Sequence, residues 1–225
     1  MPEPFSTRLI DVHNRLLARM GPQHWWPGNG PFQVSLGAIL TQAVSWTGVE
    51  RAMDNLRQAG VMSPEGLRSI PEAELAALLR PAVYFNAKAR KVKAFVNYLG
   101  DCYDDDFAAM RARDSSELRE ELLAVHGIGE ETADDILLYA VLKPFFVIDS
   151  YTRRVFRRLG TGPEKQSYRA WQTFFHDNLP HDVDLFNEYH ALIDEHAATV
   201  CRPKPLCQDC CLLDICQFGR QAVVG

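Results

Sequence analysis

Four cysteines near the C-terminus, Cys201, Cys207, Cys210 and Cys216, are spaced C-x5-C-x2-C-x5-C, with Cys211 left over. Thiolates this closely spaced are ligands for zinc or for an iron–sulfur cluster, and the spacing alone leaves both open. Five of the six cysteines fall in the last 25 residues, whereas a secreted disulfide scaffold spreads its cysteines along a short chain. A second chemical feature is His126-Gly127-Ile128-Gly129, two glycines one residue apart between helical patterns. Such a turn tolerates positive φ and lets a partner approach the backbone, and the helix it opens offers N–H groups to an anion. The plain alternative is a tight corner between two helices. Asp149 ends a short apolar run, Phe145 to Ile148, and stands where it would cap a helix over 150–159. Trp25 and Trp26 adjoin in a loop, and Trp46 lies four residues past Gln42. Aromatic faces attract a cation by about 0.5 to 2 kcal/mol per ring, and such rings serve equally as core plugs.

The elements that must position these groups are helical. Leu9, Val12, Leu16 and Leu17 give a first amphipathic helix ending at Gly21-Pro22, and residues 21–31 form a Gly- and Pro-rich loop. Residues 32–40 are apolar on nearly all sides and therefore buried, and 49–56 give the next helix. Ser63-Pro64-Glu65 and Asp114-Ser115-Ser116-Glu117 are helix starts with capping residues. Residues 86–99 alternate basic and apolar positions, so that Lys88, Arg90, Lys91 and Lys93 form a positive stripe, and Arg153, Arg154, Arg157 and Arg158 form another beside Asp149. Asp134 and Asp135 read as solvated or capping residues and Cys102 as a core residue; His176, His181, His190 and His196 show no ligand spacing, and Glu188–His190, in a helix leading into the cysteine loop, reads as packing. The expected fold class is all-α, about ten helices with short loops.

Composition bounds the function. The chain has 225 residues, 47% apolar and 24% charged, an ordinary globular balance with enough length for a substantial core. The net charge of −5, from 24 Lys and Arg against 29 Asp and Glu, argues against a nucleic-acid binder if total charge decides. No leader and no apolar run long enough for a bilayer is visible, so a cytoplasmic, nucleoid-associated protein is expected.

The segment LLAVHGIGEETADDILLYAVLKPFFVID, residues 122–149, resembles the helix-hairpin-helix DNA glycosylases of the endonuclease III superfamily. The resemblance extends over nearly the whole chain. It implies that Asp149 is the catalytic carboxylate, placed to stabilise an oxocarbenium-like transition state and to orient or deprotonate water. Bifunctional members carry a lysine at the second position after the hairpin's last glycine, where this chain has Glu131. A carboxylate cannot form the imine that β-elimination requires, so the expectation is a glycosylase without lyase activity. The resemblance also implies a [4Fe–4S] cluster on Cys201, Cys207, Cys210 and Cys216, in a loop over 201–216 whose first spacing is one residue shorter than in the family. Cys211 would be a non-ligand, and Arg202 and Lys204 would be presented toward phosphate.

Trp25-Trp26-Pro27, Ile39 to Gln42 and Trp46 look like the branch that removes 3-methyladenine and other alkylated purines. By that likeness Trp25, Trp26, Pro27 and Trp46 line the base pocket, Gln42 fills the gap left by the flipped base, and Tyr84, Phe85 and Asn86 wedge into the helix opposite. Lys88, His126, Gly127, Ile128, Gly129 and Thr132 join them at the DNA. The family architecture implies a six-helix barrel over 32–138, with the hairpin at about 122–138. A discontinuous cluster domain of 1–31 and 139–225 completes the chain, with the DNA cleft between the two. The expected partner is double-stranded DNA bearing a damaged base, bound by a monomer with no membrane involved. Oxidised or mismatched pyrimidines are an alternative substrate class, and a catalytically silent DNA-binding scaffold is the alternative of another kind.

Overall fold

A computed structural model of the chain describes residues 4–26 and 28–224. It is helical, with no strand among the described residues. No helix among them is long and apolar enough to cross a membrane. The chain divides into two compact units, one joining the stretch through Trp25 to the stretch from Pro144 onward, the other Trp26–Lys143.

The Trp26–Lys143 unit begins with α2, Pro31–Leu40 (α1 belongs to the other unit), in which every residue from Val34 to Leu40 is buried. Pro31 occupies the first turn, where its missing N–H costs nothing. Then follow α3 (Trp46–Gln58), α4 (Pro64–Ser69) and α5 (Glu72–Leu78). The Ser63 side chain accepts the Gly66 N–H at the start of α4, as the Ser-Pro-Glu signal indicates. A 3-10 turn, Arg80–Ala82, leads into α6, Phe85–Tyr103, and α7 spans Phe107–Ala112. α8, Ser115–Ala124, is capped by Asp114, which accepts from the N–H groups of Ser116 and Glu117. α9, Glu130–Asp135, runs on into a π turn, Ile136–Ala140. The α8–α9 hairpin is held by an ion pair: Arg119 Nε and Nη2 donate to the two carboxylate oxygens of Asp134 at 2.7 and 3.0 Å. Asp134 and Asp135 are buried rather than solvated, because the guanidinium fork of α8 satisfies the first inside the hairpin.

The other unit contains α1 (Phe5–Met20), α10 (Ser150–Leu159), α11 (Tyr168–Asn178), α12 (Val183–Thr199) and α13 (Gln217–Val224). Leu9, Val12 and Leu16 of α1 are fully buried, each worth about 1.5 to 3 kcal/mol of apolar burial. The core is aromatic: Phe146 stacks on Phe175 with centroids 4.0 Å apart, and Phe186, Tyr189 and Phe156 pack edge-on around the pair. Cys102, expected in the core, is exposed on α6, where the apolar face is supplied by Phe95, Val96 and Leu99 instead.

Candidate active site

The segment 145–149 that delivers Asp149 is neither helix nor strand and is buried over Phe146–Ile148, so its peptide groups need partners other than a helix or a sheet. α11 provides them. Tyr168, Gln172 and His176 are spaced four residues apart and so share one face. The Tyr168 hydroxyl accepts the Ile148 N–H at 3.2 Å, Gln172 Nε2 donates to the Phe146 carbonyl at 3.0 Å, and His176 Nε2 accepts the Phe146 N–H at 3.0 Å. This ladder fixes the chain immediately ahead of Asp149. Asp149 then caps α10, its Oδ1 accepting the Thr152 N–H at 2.7 Å, which locks its rotamer. The capping role expected from sequence is present, and the second carboxylate oxygen has no hydrogen bond among the described residues.

α12 faces this carboxylate with His190 and Asp194, one turn apart. His190 is buried, and burial pushes its pKa below the ordinary histidine range against the opposing charge of Asp149. Burial pushes Asp194 up to about 7, with the charges of Asp149 and Glu195 adding to the effect and Arg154 opposing it. Trp25 meets the His190 ring edge-on with centroids 6.4 Å apart. His190 is thus a buried ring that senses the charge of Asp149, and Asp194, one turn further along α12, was not singled out in the sequence.

In the other unit the two hairpin glycines differ. Gly127 has φ of +83°, and a Cβ there would overlap the Lys91 side chain. Gly129 is extended, and a Cβ at it would meet open space. His126, Gly129 and Glu131 are exposed, whereas Ile128 and Thr132, both expected at the DNA, are buried and serve the hairpin from inside. Gln42 Nε2 donates to Thr132 Oγ1 at 2.7 Å and to the Gly127 carbonyl at 3.3 Å, and Lys91 Nζ donates to Gln42 Oε1. In the DNA-free protein the Gln42 amide braces the two sides of the turn.

Trp26 forms an aromatic group with Trp46, at 5.7 Å, and with Tyr139 of the π turn, at 5.1 Å, both edge-on. Trp25, Trp26 and Trp46 are half-buried. Gly37 floors the group, since a Cβ there would lie 3.1 Å from Trp26 Nε1 and 3.6 Å from Trp46. Tyr139 was not foreseen, because an ordinary helix gives no reason for it to face Trp26. Pro27, expected beside these rings, lies outside the described residues.

The basic stripes do not present themselves as expected. Lys88 is 2% exposed and its Nζ donates to the Ala82 carbonyl at 2.5 Å, so it is no phosphate contact. Lys93 is bonded to the carbonyls of Arg68 and Ile70. On α10, Arg154 donates to the carbonyls of Cys201 and Ala197, at 2.9 and 3.0 Å. Arg158 donates to those of Cys201, Arg202 and Pro203, and Arg157 and Arg153 bond to Gln166. The cysteine loop is irregular backbone whose carbonyls need donors, and these arginines supply them. Tyr84 is 66% exposed, Asn86 is exposed, and Phe85 is half-buried beneath the Arg80 guanidinium, 5.8 Å from the ring centroid.

Cys201, Cys207, Cys210 and Cys216 line one cavity of about 20 Å³, and Cys211 is not among its lining residues. Arg158 Nη1 donates to Cys201 Sγ and the Gly219 N–H to Cys216 Sγ, each at 3.3 Å, while Cys216 Sγ donates to the Arg158 carbonyl at 3.2 Å and His196 Nε2 lies 3.7 Å from Cys210 Sγ. Burial pushes the Cys210 thiol up to about 11, with neighbouring cysteines adding to it. Among the described residues no three His, Cys, Asp or Glu side chains converge as for a single metal ion. Arg202 and Lys204 are exposed on the loop.

An all-α chain with this hairpin and a capping aspartate after it defines a class. Residues 36–181 match the HhH-GPD superfamily base excision DNA repair protein family, and the chain belongs to that family. It is a DNA glycosylase of base excision repair. The chain is 41% identical to a Methanocaldococcus jannaschii protein assigned to the DNA repair glycosylases, over 96% of this chain and 99% of the relative. It is 29% identical to Sulfolobus acidocaldarius endonuclease III over 83% of this chain and 82% of that one. H. pylori 3-methyladenine DNA glycosylase (MagIII) bound to 1,N6-ethenoadenine superposes with a TM-score of 0.75 at 25% identity, covering 87% of this chain and 98% of MagIII. A trapped endonuclease III–DNA covalent intermediate superposes with a TM-score of 0.84 at 20% identity over 99% of this chain and 100% of the other, which establishes the endonuclease III-like fold.

Proposed function

We propose that the protein is a monofunctional DNA N-glycosylase that hydrolyses the glycosidic bond of alkylated purines, 3-methyladenine among them, acting as a monomer on duplex DNA. The observation that carries this reading is the half-buried group of Trp26 and Trp46 with Tyr139 over Gly37. A base must leave the stack before an enzyme can act on it. An N-alkylated purine then brings a positive charge and a weakened glycosidic bond, so aromatic faces hold it and little protonation of the leaving group is needed. The resemblance of the Trp-Trp-Pro loop and the likeness to MagIII support the same class.

Asp149 is the catalytic carboxylate of this reading. Its Oδ1 is held by the Thr152 N–H, leaving the other oxygen to stabilise positive charge developing at the anomeric carbon and to orient the attacking water. The buried His190 and the half-buried Asp194 of α12 sense its charge. Glu131, exposed at the position where a lyase carries its amine, has no nucleophilic nitrogen with which to form an imine.

The four cavity-lining cysteines are read as the ligands of a [4Fe–4S] cluster, as the family resemblance implies. Thiolate ligands of such a cluster accept N–H donors at sulfur. When bound, the cluster would supply a positive centre that keeps the thiols ionised and ties the loop carrying Arg202 and Lys204. Arg158 and Gly219 would donate to its ligand sulfurs.

The test compares excision from duplexes containing 3-methyladenine, thymine glycol or a G·T mismatch, each with and without alkali. Release of 3-methyladenine with strand breaks only after alkali supports the reading. Processing of thymine glycol alone removes the pocket assignment and favours the endonuclease III-like alternative.

A further inference from the structure

The turn that carries Tyr84 is under backbone strain. Val83 has φ of +53° and ψ of 160°, and Tyr84 has φ of +46° and ψ of 31°. Two consecutive side-chain-bearing residues with positive φ are costly, the β-branched one most of all, and they persist only where surrounding structure holds them. The strain displays two apolar side chains to solvent, Val83 at 48% and Tyr84 at 66% exposure. A loop free to relax would turn them inward.

Three contacts hold the turn. Gly48 of α3 lets the backbone approach so closely that a Cβ there would sit 2.7 Å from the Pro81 carbonyl oxygen. The Lys88 N–H bonds to the Tyr84 carbonyl at 3.0 Å. The Lys88 side chain, 2% exposed, folds back so that Nζ donates to the Ala82 carbonyl at 2.5 Å. A lysine is rarely buried this completely. Burial, with the Lys91 charge adding, pushes its ammonium down to about 8, so the side chain is held inside at a cost.

We propose that Lys88 is a positioning residue: its buried ammonium, bonded to the Ala82 carbonyl, holds the strained Val83–Tyr84 turn in the form that presents Tyr84 to the strand opposite the flipped base. The proposal rests on the reading of Tyr84 as a wedge. It assigns Lys88 to the geometry of the loop and not to phosphate.

The test uses the full chain and three variants, Lys88→Met, Lys88→Arg and Tyr84→Ala. In the DNA-free protein, hydrogen exchange of the amides of residues 82–86 reports on the turn. Lys88→Met is expected to accelerate it about tenfold, with the amides of α2 and α3 unchanged, and Lys88→Arg to restore part of the protection. With DNA, 2-aminopurine opposite a tetrahydrofuran abasic analogue reports unstacking by its fluorescence. Tyr84→Ala is expected to abolish the rise, Lys88→Met to reduce it, and the double variant to match Tyr84→Ala alone. If Lys88→Met weakens binding as much in the Tyr84→Ala background as in the wild type, Lys88 acts separately and the proposal is wrong. Unchanged exchange over 82–86 also overturns it. If Tyr84→Ala leaves fluorescence and affinity intact while the exchange result holds, the wedge reading has failed, and the Lys88 contact supports a turn with another task.

Discussion

The α11 ladder makes a prediction that separates folding from catalysis. Gln172→Leu keeps side-chain bulk but removes the amide that donates to the Phe146 carbonyl at 3.0 Å. Phe146 is fully buried and Gln172 is 8% exposed, so water cannot replace the donor. An orphaned buried acceptor costs about 1 to 3 kcal/mol. For a chain of this size about 2 kcal/mol corresponds to a drop in Tm of roughly 4 to 8 °C. The second consequence is kinetic, because Phe146 stands three residues before Asp149. A carboxylate misplaced by about 1 Å can cost up to about a hundredfold in the chemical step. Single-turnover excision should therefore slow by at least about tenfold, while affinity for an abasic-analogue duplex stays the same. The exposed Arg169, on the same helix, is the control, and Arg169→Ala should stay within about 0.5 kcal/mol of wild type. Differential scanning calorimetry and rapid-quench assays at one pH read both quantities. A variant that loses stability yet excises at the wild-type rate would refute the reasoning, since the ladder would then serve the fold without aiming Asp149.

Other outcomes follow from the same structure. Arg119→Met leaves the fully buried Asp134 without the fork that holds it, which should cost about 2 to 4 kcal/mol in urea denaturation. Adding Asp134→Asn should recover part of the loss, and no recovery would mean that the pair is not what joins α8 to α9. Asp194 has its folded-state pKa raised to about 7 from an unfolded value of 3.8, so its neutral form contributes stability below about pH 4 that disappears as pH rises to 7. Wild type should lose stability between about pH 4 and pH 7 through this group by up to a few kcal/mol, and Asp194→Asn should flatten that slope. An unaltered slope would show that Asp194 titrates normally. Anaerobically purified protein should contain about four iron and four sulfide per chain, retained in Cys211→Ala and lost in Cys210→Ala, and zinc in place of iron would contradict the cluster assignment.

The helices were legible because their signals are local. Ser63-Pro64 and Asp114 cap the helices they announce, and Asp149 caps α10 while standing where the family resemblance puts its carboxylate. The charged residues were read less well. Lys88, Arg154 and Arg158 look like a phosphate-binding surface in sequence, since nothing local reveals which carbonyls lack donors. Only the irregular backbone of the turn at 82–84 and of the loop after Cys201 engages them within the protein. Asp134 was misread for the same reason, its partner Arg119 lying on the preceding helix. Tyr139 reaches Trp26 through a π turn, and an irregular hydrogen-bond register has no sequence signature of its own. Net charge was a poor guide to function, because many of the cations hold the protein together.

The most direct measurement is single-turnover release of 3-methyladenine from a defined duplex by wild type and Asp149→Asn, with strand integrity read before and after alkali. The account requires base release by wild type, intact strands until alkali is added, and a loss of at least about a thousandfold in Asp149→Asn. Strand breakage without alkali, or excision that survives Asp149→Asn, would contradict it.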